Sequence, residues 1–459
     1  MHSTQTTVAR SASLTLAVLA LSMASAFAAP SFTDKPDADF SGRVFSQGAL
    51  PGAEAAVSGR GFTPGQKVTL FRAGEALNNG EAVTVDEKGG FQTKVAIPAD
   101  AVPGPHPVVA SASNPSAAAL FDLKVIAQMP QSGAEQFTVV SEKLVQGLYQ
   151  AAYSAKNDTL FVTAAVGRPP VKQSQLLKLD AKTLRTVAST DMAKVPKRDD
   201  GHTYAVYGVD VDDKNGNVWV TNTRQGTVSV HKQSDLKLLK RFADGAAYHA
   251  RDVAIFEAGN KAYVSTPGKN TVVVFDTKKL AHLKDIAIDS DEDRSFSTMS
   301  LALDEQGGKL YTISGSTREV AVIDTKTDRV ESVLRVPGIK SGSGIAVDPK
   351  GKRLYVVAQG SDNLVIVDLA SGKPLHTVAI GAGALNVAFE PKTGLAYVVS
   401  RGAGTVTAVD ADGKIVANLA GGTFPNHVAV DGKGAAYAIN KSKGVDDAEG
   451  DRISRIVKK

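Results

Sequence analysis

Residues 345–368 read IAVDPKGKRLYVVAQGSDNLVIVD. Three short apolar runs, IAV, LYVV and LVIV, are separated by two polar turns, DPKGKR and AQGSDN. Short runs rich in β-branched and aromatic residues and bounded by Gly, Asp, Asn and Lys read as strands. Pro349 and Gly351 punctuate the first turn, because Pro presets φ and Gly tolerates positive φ; Gly360 and Asn363 do the same for the second. The runs are almost continuously apolar rather than alternating, so these strands are expected to be covered on both faces. Each small sheet must then sit between two others.

Related stretches fill the chain from Phe137 onward. The aromatic of the second strand falls at Phe161, Trp219, Tyr263, Tyr311, Tyr355, Tyr397 and Tyr437, with successive spacings of 58, 44, 48, 44, 42 and 40 residues. An insertion after Thr163 accounts for the long first spacing. Thirteen residues after four of these aromatics stands an Asp that closes the third strand: Asp276, Asp324, Asp368 and Asp410. A period in the forties with about four strands per unit indicates a β-propeller, here of seven blades. The last unit, NHVAV, AAYAIN and RISRIVKK, lacks an outer strand, while EQFTVVS at 135–141 precedes the first unit without a place in it. That segment is expected to supply the missing strand and close the ring.

The preceding region is different. Residues 1–28 have the form of an export signal: Arg10, an apolar core from Leu14 to Met23, and the small-x-small site Ala26-Phe27-Ala28. The apolar part is too short to span a bilayer, and no later run approaches that length. The expected location is the periplasm, with secretion or the cell surface as the alternative, and no membrane span in the mature chain. Residues 30–127 carry six or seven short strand signals with turns at Gly61, Pro64-Gly65, Gly89-Gly90 and Pro103-Gly104, which predicts a β-sandwich. The run GRGFTPGQKVTL within it resembles the Ig-like modules of bacterial envelope proteins, without their antibody-type Cys pair and Trp. Residues 128–134 read as a linker and 135–459 as the propeller. The fold expected is all-β throughout: an N-terminal Ig-like β-sandwich, then a seven-bladed propeller closed by an N-terminal strand. Zero cysteines in 459 residues mean that no disulfide holds it together. The net charge of +5 falls to +4 without the signal, compatible with an anionic ligand but not demanding one.

A propeller's ligands meet the starts of the inner strands and the turns between second and third strands, which share one pole. The first set is Tyr149, Tyr207, Arg251, Thr298, Ser343, Asn386 and Asn426; the second is Asn222, Thr266, Gln359, Arg401, Asn440 and Lys441. This mouth is polar and mildly basic with two aromatics, which suits an anionic or polar organic ligand. The histidines show no metal-ligand spacing, although His249 and His427 approach the mouth. No GxSxG elbow and no phosphate-binding Lys-Ser/Thr loop occurs. No catalytic residue, metal or cofactor is therefore expected. The acidic run 289–293 departs from a calcium loop at Arg294 and Ser300 and reads as a solvated loop. A second run, Asp446, Asp447, Glu449 and Asp451, reads as a mobile flap near the mouth. The Asp276-Thr277 and Asp324-Thr325 pairs read as turn formers.

The repeats LYVV, AYVV and VWVTN, each followed by an xVxVxD strand, resemble the YVTN propellers, and more closely the YncE-type seven-bladed family. GLYQAAYSAKNDTLFV, ARDVAI, LALDEQGGKLYT, RGAGTVTAVDA and FPNHVAVDGKGAAYAINKSK carry the likeness across residues 147–457, and the Ig-like region is an addition to it. The resemblance implies a non-enzymatic periplasmic protein, linked to single-stranded DNA binding and more loosely to outer-membrane uptake receptors. The matching mouth positions are Tyr149, Arg251, Thr298, Arg401, Asn426 and Lys441, as binding candidates. With Tyr207 they form the expected site for single-stranded nucleic acid or a small anion. Two other readings stay open: a propeller enzyme of the lactonase or lyase type, and an interaction module whose partner is an outer-membrane or other envelope protein.

Overall fold

The computed structural model describes residues 32–459, so the export signal lies outside the described residues. Seven four-stranded antiparallel sheets form the blades, their strands labelled A to D from inside to outside; the first six follow one another from Leu148 to Ala420 as simple meanders, and the seventh has three consecutive strands from Pro425 to Lys458 and takes its fourth from ahead of the first blade. Blade 5 contains the repeat quoted above: Gly342–Asp348, Arg353–Ala358, Asn363–Asp368 and Pro374–Ala379. Its second and third strands are buried along nearly their whole length, whereas the outer strand is mostly exposed. The continuous apolar pattern has the cause anticipated for it, since each sheet is covered on both faces by its neighbours.

The recurring aromatics are what the blades share. Each lies in a separate apolar cluster with side chains of the next blade: Phe161 between blades 1 and 2, Trp219 between 2 and 3, and so on to Tyr437 between 7 and 1. Six of the seven stand directly opposite an alanine of strand A (Ala152, Ala254, Ala302, Ala346, Ala388 and Ala429), which leaves room for the ring. Opposite Trp219 the position is held by Asp210 instead. Burying such a ring stabilises by roughly 1.5–3 kcal/mol, so the repeated aromatic is a substantial part of every blade contact.

The ring closes as the sequence pattern requires. Phe137–Lys143 pairs antiparallel with Arg452–Lys458, in register from Arg452 opposite Lys143 to Lys458 opposite Phe137. The strand begins two residues later than the segment 135–141, because Ala134–Gln136 forms a short 3-10 turn. Phe137 is buried and meets Tyr397 of blade 6 edge-on, with ring centroids 6.4 Å apart. The outer strand of the last blade is thus tied both to its own sheet and to its neighbour.

Before the propeller, two antiparallel sheets pack on one core. Arg43–Ser46, Glu54–Arg60 and Phe91–Ala96 form the first; Lys67–Arg72, Gly104–Ser113 and Ala117–Val125, with two short strands, form the second. Ala55, Val57 and Phe91 from one face Val108, Ala110 and Phe121 from the other. This unit sits at the rim of blade 5. Lys124 Nζ bonds Asp362 Oδ1 at 2.5 Å and the Gln359 carbonyl at 2.7 Å, and Lys340 pairs with Asp122. The segment 128–134 is docked against the outer strand of blade 6, where Asn418 N–H donates to Ser132 O and Asn418 Nδ2 reaches the carbonyls of Met129 and Pro130.

Phe137→Ala is expected to cost about 3–5 kcal/mol, the range for truncating a buried ring, and deletion of residues 137–143 to abolish the cooperative thermal transition of the propeller. A melting profile unchanged by the deletion would show that the ring does not depend on this strand.

Candidate functional site

In each blade the start of strand A and the B–C turn lie at one pole, and there the side chains converge on a funnel of about 250 Å3. Strand A is the inner edge of its sheet, so its axis-facing backbone groups have no partner strand and need other partners. Side chains provide them across every blade boundary. Gln150 Oε1 accepts the Val209 N–H at 3.1 Å, Asp210 Oδ2 that of Ile255 at 2.8 Å, and Asp252 Oδ2 that of Leu301 at 3.0 Å. The Ser300 hydroxyl donates to Ser343 O at 2.7 Å, and the Ser343 hydroxyl to Ala384 O at 2.8 Å. Asn386 Oδ1 accepts the Val428 N–H at 3.0 Å. The belt closes where His427 Nδ1 accepts the Ala151 N–H at 3.4 Å and Asn426 Nδ2 donates to Tyr149 O at 2.7 Å.

Two members of the belt are displaced for a steric reason. The position equivalent to Asp252 is glycine in blades 2 and 5. A Cβ on Gly208 would collide with the Arg251 carbonyl, and one on Gly344 would lie 2.8 Å from the Asn386 Cα. The backbones approach too closely there for any side chain, so Asp210 and Ser343 make the bonds from neighbouring positions. Burial pushes Asp210 up to about 7 despite the N–H groups of Ile255 and Val211, with Asp252 and Glu257 adding to the rise. Burial also raises Asp252, against the pull of Arg251.

In every blade but the fifth the residue before the belt position faces the funnel, and the B–C turns add further basic groups. Arg251 is half-buried; its Nη1 donates to Ser300 Oγ at 3.1 Å and Ser343 O at 3.2 Å. Burial disfavours its charge, and Asp252 offsets part of that. Arg401 Nη1 reaches Asn426 Oδ1 at 3.3 Å and lies over the Phe424 ring. Arg224 Nε reaches the Tyr207 hydroxyl at 3.3 Å. Tyr149 and Tyr207 meet edge to face with centroids 4.2 Å apart, and Lys441 Nζ stands 3.6 Å from the centre of the Tyr149 ring. Burial and then Tyr207 raise the Tyr149 hydroxyl, while Arg401, Arg224 and Arg251 all oppose the rise, as expected of three guanidiniums around one phenol. Burial and then Arg401 pull Lys441 down to about 7, with Asp451 opposing.

Of the residues selected from the sequence, Tyr149, Tyr207, Arg251, Arg401 and Asn426 line the funnel, and Lys441 covers Tyr149. Thr298 does not. It is fully buried, accepting the Thr266 N–H at 2.7 Å and donating to Thr271 O at 3.0 Å; its neighbour Met299 faces the funnel. Ser343 belongs to the belt, and Asn386 both to the belt and to the wall. The side chains of Asn222 and Thr266 bond within their own blades, and Gln359 turns its carbonyl to the sandwich. Arg224 and Thr223 line the funnel without having been selected, and His249, expected near the mouth, lines it as well. Arg224 stands two residues past Asn222, so the signal was a basic residue inside the B–C turn, as at Arg401. His427 also lines it, held neutral by burial and then Arg251, which pull it down to about 3.

The acidic segment after Lys441 is pinned. Asp447 accepts from Thr423 Oγ1, the Glu449 N–H and the Lys443 N–H, and buried Asp451 accepts from the Gly147 N–H at 2.8 Å. Asn440 holds the same segment through Glu449 O and the Arg452 N–H. The run 289–293 is likewise tied, through Ser290 and Asp291 to Glu319 and through Glu292 to Arg318. Asp276 and Asp324 accept from backbone N–H groups two and three residues on, as turn formers do. Among the described residues no three His, Asp or Glu side chains are grouped to hold a metal ion.

Comparison with known proteins agrees with this architecture. No family model matches the chain. It is 24% identical over 328 residues to the uncharacterized protein YncE of Salmonella typhimurium, covering 68% of this chain and 88% of that one. The chain is a relative of the YncE proteins. Among solved structures, virginiamycin B lyase from Staphylococcus aureus superposes with a TM-score of 0.54 at 13% identity, over 70% of this chain and 99% of that one. The RRP9 WD40 repeats superpose at 0.56 and 12% identity, over 72% and 100%. At such identities these likenesses speak for the propeller fold alone.

Two substitutions test the belt. Gly208→Ala is expected to destabilise by about 1–3 kcal/mol, as overpacking does. Asp210 binds its proton more tightly folded than unfolded, so its contribution to stability falls as pH rises from about 4 to 7. Asp210→Asn should flatten that fall; urea titrations across this window giving parallel curves for the two proteins would rule out a carboxyl raised by burial.

Proposed function

We propose that the chain is an exported, non-enzymatic propeller that binds an anionic ligand in the funnel. The observation that carries this reading is the convergence of Arg224, Arg251, Arg401 and Lys441 around Tyr149, with Asp252 as the acid that offsets Arg251. Cations held this close repel one another unless an anion sits between them, and guanidiniums suit the flat, bidentate geometry of carboxylate and phosphate. The site is preformed, because the belt residues fix the strand starts that bear it, and a preformed site loses little freedom on binding. The signal-like residues 1–28 favour the periplasm, with secretion or the cell surface as the alternative.

Single-stranded nucleic acid would need aromatic faces free for base stacking as well as cations along a strand. Tyr149 has Lys441 over one face and Tyr207 at 4.2 Å, and Tyr207 is buried. This arrangement favours a small anion, or one anionic group of a larger molecule, over a stacked polymer. In calorimetric titrations of the full chain with di- and tricarboxylates, phosphate esters and oligonucleotides, a small anion is expected to bind with a shallow salt dependence. A log K against log salt slope steeper than about −3, seen with oligonucleotides alone, would mean several phosphate contacts and would replace this reading.

Arg401→Gln is expected to weaken anion binding by about ten- to a hundredfold with little change in melting temperature, since among the described residues its guanidinium hydrogen-bonds only to Asn426. The affinity should also fall as pH rises above about 7, by at most about tenfold per unit, as Lys441 loses its charge. Lys441→Met should remove that pH dependence; affinity insensitive to both changes would place the ligand elsewhere.

A further inference from the structure

Lys441, which covers the Tyr149 ring in the funnel wall, differs from the three arginines that line the funnel. Arg251, Arg401 and Arg224 each have a hydrogen-bond acceptor, whereas the Lys441 amine has none among the described residues and makes no ion pair. What faces it is the Tyr149 ring, with the Arg401 guanidinium and Asp451 as the charged neighbours. Asp451 is committed elsewhere, its Oδ1 accepting the Gly147 N–H at 2.8 Å. The backbone around the lysine is fixed: its N–H donates to Phe424 O at 3.1 Å, and the segment that follows is pinned through Asp447 and Asp451. An amine without an acid partner, largely withdrawn from water and next to a guanidinium, is a poor site for a fixed ammonium, and the cation–π contact with Tyr149 offsets only part of that. It is a good site for a nucleophile, because desolvation and neighbouring cations free the lone pair.

We propose that the funnel captures anionic aldehydes and 2-keto acids, or phosphorylated aldehydes, by forming a reversible imine with Lys441. The proposal rests on the anion-binding reading: the guanidiniums take the carboxylate or phosphate and bring the carbonyl to the amine. The lone pair of Nζ adds to the carbonyl carbon and the C=O π pair moves to oxygen. A proton passes from nitrogen to that oxygen, and the resulting carbinolamine loses water to leave C=N. Water is the only other product, no oxidant or reductant takes part, and hydrolysis reverses the step. Lys441 falls to about 7, so near neutral pH about half of it is free amine, while an exposed lysine near 10.4 stays almost wholly protonated.

The test uses the full chain, pyridoxal 5′-phosphate as a phosphorylated aldehyde, and pyridoxine 5′-phosphate as the same anion without a carbonyl. Imines are trapped with borohydride at about pH 7 and mapped by peptide mass spectrometry. Lys441 is expected to be modified about tenfold or more ahead of any other lysine. Lys441→Arg should lose that adduct yet still bind pyridoxine 5′-phosphate, since the charge is retained. Adducts spread over exposed lysines at equal rates in both proteins, with pyridoxine 5′-phosphate bound, would overturn the imine and leave the anion site standing. Failure of both compounds to bind at the funnel would overturn the imine together with the anion-binding reading beneath it.

Discussion

Every blade ends, at the axis of the ring, in a sheet edge with unpaired backbone groups, and the side-chain belt that satisfies them sets the geometry of everything else at that pole. The inner strands fan in from seven directions and cannot pair with one another as strands. Gln150, Asp210, Asp252, Ser300, Ser343, Asn386 and His427 bridge them instead. A buried hydrogen bond is worth about 1 kcal/mol net, but leaving its backbone partner unsatisfied costs the full desolvation of that group, so the belt constrains the sequence more strongly than its net stabilisation suggests. Two of its members are carboxyls whose charge burial opposes, and one is a neutral histidine.

The belt and the funnel are two aspects of the same strand starts. Tyr149 precedes Gln150, Arg251 precedes Asp252, Met299 precedes Ser300 and Asn426 precedes His427, so fixing the second residue aims the first at the axis. In blades 1, 2, 4, 5, 6 and 7 the register of strand A shifts at this point, as at Leu148/Ala151 and Thr298/Leu301. A bulge re-aims a side chain locally while leaving the rest of the ladder in register. Its recurrence under the mouth explains how regular sheets present an irregular set of functional groups.

That bulge also marks where the sequence stopped being legible. The blades were readable because strand B aromatics keep a near-constant spacing and occupy one buried slot per blade contact. The closing strand was readable because blade 7 had three strand signals and Phe137 followed by TVV had no blade of its own. Positions counted from the aromatic cross the bulge before reaching the mouth, and there a one-residue error turns a side chain from the axis toward a neighbouring blade. Thr298 fell on the wrong side of it and Met299 on the right one. The acidic segment after Lys441 looked unanchored, since nothing in its composition reveals that Asp447 and Asp451 bond backbone and side chains far from them in sequence.

The central claim is that the cationic funnel exists to hold an anion between Arg224, Arg401 and Lys441. A crystal of the full chain soaked in bromide, with its anomalous scattering used to find the ions, addresses this most directly. The account predicts a strong bromide peak within the funnel, within hydrogen-bonding reach of at least two of these three groups. Bromide scattered over exposed lysines, with only water or nothing between the three, would contradict it.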